Sequence, residues 1–178
     1  QSAATTFDAG DTNGATDVYV HDRQTGTTER VSVDSSEAQG NGSSARASVS
    51  TAGNYVAFTS ASTNLVAGDT NVLDDVFVRD RQAGTTERVS VDSAGAQGNS
   101  WSMKPSLSAD GRFVAFQSLA SNLVAGDTNG HWDIFVRDRQ SGTTERVNVD
   151  STGTQGNGYS AHPSLSADGR FVAFSSGA

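Results

Sequence analysis

One phrase occurs three times in this chain at a fixed interval: AGDTNGATDVYVHDR at 9–23, AGDTNVLDDVFVRDR at 67–81 and AGDTNGHWDIFVRDR at 125–139. Asp11, Asp69 and Asp127 are each 58 residues apart, and residues 59–116 match residues 117–174 at 42 of 58 positions. Three such units fill nearly all of the 178 residues. A chain made of one short unit cannot build a single irregular core. Each unit must bury its apolar face against its neighbours. The sequence therefore reads as one repeat array over 1–178, divided as 1–58, 59–116 and 117–174, with a terminal half-unit ending at 178.

Gly, Ser, Thr, Asn and Asp are abundant while Leu, Lys and Glu are scarce, a composition that favours turns and strands over helices. Within one unit, Pro105–Ser108 reads as a short strand and Ala109–Arg112 as a turn centred on Asp-Gly. Phe113–Ser118 is an apolar strand of the kind buried on both faces. A long polar loop leads to a third strand over Asp133–Arg139, and QSGT turns the chain into a fourth over Thr144–Asp150. The stretch from Ser151 to His162 is then a connector. Four antiparallel strands per unit, repeated radially, predict an all-β chain of β-propeller blades.

PSLSADGRFVAF, at Pro105 and again at Pro163, resembles the repeat signature of TolB-type, WD-like propellers. The likeness runs the length of the chain and implies the propeller fold. The first copy, ASVSTAGNYVAF, departs from it, with Ala52 in place of Asp110 and Asp168, and Asn54 in place of Arg112 and Arg170. Any Asp–Arg pairing at the turn is lost there.

Aligned on the repeat, the N-terminal segment supplies only the third and fourth strands of a blade, and the C-terminal segment only the first and second. The two halves make one split blade. A ring of three blades lies below the range of propellers, and unpaired halves expose sheet edges. The sequence thus predicts that copies of the chain complete one another, as a six-bladed dimer or an open filament; the alternative is an excerpt of a longer array.

The repeated Asp-x-Asn-x-x-x-Asp offers oxygen ligands at Asp11/Asn13/Asp17, Asp69/Asn71/Asp75 and Asp127/Asn129/Asp133. Calcium takes six to eight hard oxygens, often from such alternating positions. The loops resemble shortened forms of the Asp-rich calcium loops of integrin-type propellers, and that resemblance implies calcium, with carbonyls or water completing the shell. The competing reading is turn chemistry, in which Asp and Asn cap the loop before the third strand. The Arg-Asp-Arg runs (Arg79–Arg81, Arg137–Arg139) and the Glu-Arg pairs beginning at Glu29, Glu87 and Glu145 read as solvent-facing or inter-blade ion pairs. Gln39-Gly40-Asn41 and its copies at Gln97 and Gln155 read as amide-bearing turns.

The copies diverge at three sets of equivalent positions: Ser43/Trp101/Tyr159, Thr16/Asp74/Trp132 and Arg46/Lys104/His162. Aromatics beside polar loops suit sugar stacking or a protein interface, so Trp101, His131, Trp132 and Tyr159 are candidate ligand-binding residues and a glycan a candidate partner.

A net charge of −8 argues against a nucleic-acid partner. No apolar run is long enough to span a membrane, and the absence of Cys removes disulfide and thiolate chemistry. Three His at non-equivalent positions and near-identical repeats offer no nucleophile–base pair or metal triad, so no enzymatic activity is expected. The expected protein is a mature secreted form, extracellular, periplasmic or at the cell surface. It is a calcium-stabilised structural module that joins copies of itself, with a lectin-like binding module as the alternative.

Overall fold

The computed structural model describes residues 7, 8 and 10–178. Twelve strands follow one another in chain order among these residues. Strands β1 (Tyr19–His21) and β2 (Thr28–Arg30) form a two-stranded sheet. Strands β3 (Ser44–Val49), β4 (Tyr55–Ser60), β5 (Asp75–Asp80) and β6 (Thr85–Arg88) form a four-stranded meander. A second meander contains β7 (Ser102–Leu107), β8 (Phe113–Ser118), β9 (Asp133–Asp138) and β10 (Thr143–Arg146), and β11 (Ser160–Leu165) pairs with β12 (Val172–Ser176) in a last two-stranded sheet. All pairings are antiparallel. Among the described residues the two half-sheets at the chain ends do not pair with each other.

Each second strand of a complete sheet is sealed because it is paired on both edges and covered on both faces. Phe58 and Phe116 are fully buried and stack on Phe77 and Phe135 of the third strand, with ring centroids 5.9 and 6.0 Å apart. The apolar clusters lie between sheets. One joins Val18 and Val31 to Val56, Phe58 and Phe77; the other joins Ala57 and Val78 to Leu107, Val114 and Phe116. First strands also pack on one another in succession, β3 on β7 and β7 on β11, so they form the inner edge of the arc.

Two strand limits differ from the sequence expectation. First strands start at Ser102 and Ser160, earlier than Pro105 and Pro163, because their N–H groups bond the carbonyls of Asp74 and Trp132 in the preceding sheet. Fourth strands stop at Arg88 and Arg146, before Asp150 is reached. There the Asp150 carboxylate accepts from the N–H of Thr152 and Thr154 and bends the chain into a turn. Val149 keeps only an isolated bridge to Gln155.

The turn between first and second strands locks one sheet onto the next. Gly111 has φ +73°, and a Cβ there would lie 2.3 Å from the Tyr55 ring of the preceding sheet. Gly169 stands in the same relation to Phe113, at 2.2 Å. An aromatic of one sheet thus fills the space a side chain would need in the following turn.

Candidate functional site

The repeated Asp-x-Asn-x-x-x-Asp loop is drawn together into one buried cluster per sheet. In the first copy, Gln39 Nε2 donates to both Asp11 Oδ1 (2.9 Å) and Asp17 Oδ2 (3.1 Å). Arg30 Nη1 stands 3.9 and 3.7 Å from the same two oxygens. Ser32 Oγ donates to Asp17 Oδ1 at 2.6 Å. The second copy repeats this with Gln97 on Asp69 and Asp75 (2.8 and 2.7 Å) and Arg88 at 3.6 and 3.9 Å. In the third, Gln155 bridges Asp127 and Asp133 (3.0 Å each) and Arg146 lies 3.6 and 3.9 Å away. Asn148 replaces the serine there and donates to Asp133 Oδ1.

Burial drives the Asp75 carboxyl upward from its ordinary range, against the opposing bonds from Ser90 and Gln97 and the charge of Arg88. Burial likewise pushes Asp127 up. In the first copy the Tyr19 hydroxyl donates to Asp11 Oδ2, and burial with that bond pushes the phenol up to about 12.

The asparagine between the two aspartates is occupied otherwise. Asn13 Oδ1 accepts from the Ala15 N–H at 2.6 Å and Asn13 Nδ2 donates to the Gly40 carbonyl at 2.7 Å. Asn71 and Asn129 do the same with Leu73 and Gly98, and with His131 and Gly156, and Asn129 Nδ2 also donates to the Asp133 carboxylate at 3.1 and 3.2 Å. This is an Asx turn tied to the neighbouring connector. The donor set does not fit the calcium shell expected from the spacing. Two carboxylates converge, but a guanidinium and an amide N–H₂ already face them, and the Asn oxygen is turned onto backbone. The partners that sequence reasoning missed are Arg30, Arg88 and Arg146, read only as ion-pair partners, and Gln39, Gln97 and Gln155, read only as turns.

The Arg-Asp-Arg and Glu-Arg runs do link sheets. Arg81 pairs with Glu29, Arg139 with Glu87 and Arg79 with Glu37, each pair joining consecutive sheets. At the turn, Arg112 pairs with Asp138 rather than Asp110, at 2.6 Å, and that bond holds the Asp138 carboxyl far below its usual range. The pairing within the turn that the sequence suggested, Asp110 with Arg112, is not made; Asn54, in place of Arg112, leaves the first copy without the pair to the third strand.

Trp101 and Tyr159, equivalent positions, are exposed at 44% and 58%, while Trp132 is half-buried and His131 exposed. The Trp132 carbonyl accepts the N–H of Ser160, next to Tyr159. These residues share the rim where the loops and connectors meet.

No protein-family model matches the sequence, and no curated protein matches it either. Solved structures do. TolB from Acinetobacter baumannii superposes with a TM-score of 0.52 at 22% identity, covering 89% of this chain and 31% of that one. A putative TolB from Agrobacterium tumefaciens gives 0.50 at 20% identity, over 90% of this chain and 50% of that one. The tricorn protease gives 0.52 at 18% identity, over 89% and 13%. The chain is an arc of β-propeller blades. It spans half or less of the length of each of these neighbours.

In propeller terms, β3–β6 and β7–β10 each carry the four strands of a blade, and the flanking sheets, called half-blades below, carry two. The half-blades are open where the whole blades are sealed. Phe174, equivalent to the fully buried Phe58 and Phe116, is 37% exposed, and Phe171 is 62% exposed. On the opposite side of the arc Val49 is 57% exposed, whereas its equivalent Leu107 is buried. Two grooves mark these faces. One of about 470 Å³ is lined by Val149, Gln155, Phe174 and Ala178; another of about 240 Å³ is lined by Tyr19, Val20, Ala47, Val49 and Val56.

Proposed function

We propose that this chain is a non-enzymatic structural module that assembles by completing its half-blades with another copy, closing a six-bladed ring of two chains or running on as a head-to-tail filament. The observation that carries this reading is the complementarity of the two open faces. In the whole blades, Phe116 pairs with Phe135 across β8 and β9, and Val114 with Arg137. The same register laid onto β12 and β1 sets Phe174 against Tyr19 and Val172 against His21. Arg170 then meets Asp22, as Arg112 meets Asp138 within one blade. Across the seam Arg23 meets Glu145, as Arg139 meets Glu87. Phe171 covers Gly53, as Phe113 covers Gly169. Neither Arg170 nor Asp22 has an ion-pair partner among the described residues. Burying the exposed third of Phe174 (37%) contributes about 0.5–1 kcal/mol per seam.

The test is light-scattering mass after size exclusion, over a range of concentrations, for the natural chain, Arg170→Asp, Asp22→Arg and the double variant. A constant mass of two chains, or a mass growing with concentration, is expected. Each single reversal should shift assembly to higher concentration by a few-fold to about tenfold, and the double reversal should restore it. A compact monomer at every concentration overturns the proposal. A second reading, a lectin-like propeller, is favoured by the exposed Trp101 and Tyr159 on one rim. Retention on a glycan matrix with release by free sugar would support it.

A further inference from the structure

The repeat position at which all three copies carry a basic side chain of a different kind lies on the inner edge of the arc. Arg46, Lys104 and His162 occupy equivalent places in β3, β7 and β11, with φ of 56°, 56° and 58°. Left-handed backbone is the natural place for glycine. This chain has 19 glycines yet sets a long basic or imidazole side chain at each of these points. A register shift flanks each one, between Ala45 and Ser48, Met103 and Ser106, and Ala161 and Ser164. Such a bulge re-aims the side chain out of the ordinary alternation of the strand.

Two of these side chains meet, and the charge of the third, Arg46, acts on Lys104. Lys104 Nζ lies 2.8 Å from His162 Nε2. Burial and the charge of Arg46 both push the Lys104 ammonium down from its usual range. Elsewhere seven arginines are paired with carboxylates. Among the described residues Arg46, Lys104 and His162 have no such partner within ion-pair distance. The charge of Arg46 also acts on Asp74, whose carboxyl burial raises from its ordinary range. A guanidinium and an ammonium near one another, with no carboxylate within ion-pair distance, repel, and a bound anion relieves that repulsion.

We propose that Arg46, Lys104 and His162 form a binding site for a small multivalent oxyanion, a phosphate or a clustered carboxylate, at the inner edge of the arc. The site lies within one chain and stands whether or not the half-blades pair with another copy. Guanidinium and ammonium supply charge-assisted donors, and the imidazole, which accepts from the Lys104 ammonium, holds that ammonium in place.

Calorimetric titration at low ionic strength with inorganic phosphate, and separately with citrate, tests this. The variants are Lys104→Gly and Arg46→Gly. Glycine suits the left-handed backbone at both places, so loss of binding cannot be put down to loss of fold, and thermal midpoints equal to or above that of the natural chain are expected. Arg112→Gln removes the same charge at the far end of a blade, away from the proposed seam. The expected result is saturable binding by the natural chain and by Arg112→Gln, weakened at least about tenfold in each glycine variant. No saturable binding of either anion at millimolar concentration overturns the proposal. So does weakening by Arg112→Gln equal to that of the glycine variants.

Discussion

Asp75 is wholly buried and Asp69 nearly so, and a single guanidinium, that of Arg88, stands between them. Two carboxylates in the interior keep their charge only if a cation and good donors accompany them. Here the cation is a side chain of the same blade, and the donors are Gln97 and Ser90. Arg88→Met should therefore cost about 3–5 kcal/mol, read as a fall in the urea midpoint, because it strands buried charge. Adding Asp69→Asn and Asp75→Asn to it should return most of that loss. The natural chain should show the same urea midpoint with and without a calcium chelator, and a lower midpoint in chelator would reinstate calcium at the Asp loops.

At the scale of the element, the turn of each blade is a socket for an aromatic of the blade before it. Gly111→Ala carries two costs: a left-handed residue with a Cβ, about 1–2 kcal/mol, and displacement of the Tyr55 ring. Gly53→Ala carries the first but meets only the tip of Arg81, at 3.3 Å, within one chain. Urea unfolding at low protein concentration should find Gly111→Ala clearly the more destabilised of the two, while Gly53→Ala should weaken assembly, since Phe171 of another copy would fill that socket. These turns and the strands after them were legible in the sequence because Asp-Gly and a short apolar run are local signals. The limits of the first and fourth strands were not. The carbonyls of Asp74 and Trp132 fix where first strands begin, and the side chain of Asp150 bends the chain early. The Asp loops were legible as a recurring spacing, and their chemistry was not. What faces the carboxylates comes from Gln39, 28 residues beyond Asp11, and from Arg30 on the fourth strand. The 58-residue period repeats those partners as faithfully as it repeats the aspartates, so searching the period for cations and amides as well as for oxygens would have exposed the cluster.

For the whole molecule, each copy offers two unlike faces, one on β12 and one on β1. The proposed joint is heterologous, and every copy carries one half of it at each end. A chain with Phe174→Asp loses the first face and keeps the second. Mixed with the natural chain, it should shorten filaments in proportion to its fraction, as mass by light scattering would record, whereas two-chain rings would lose closure one seam at a time. A single damaged copy then acts as a cork. The open half-blades carry a further implication for growth. If copies join as proposed, the number of chains in an assembly is set by the angle between neighbouring blades. A small change in the packing of one aromatic on one glycine, multiplied around the arc, would separate a ring from a fibre.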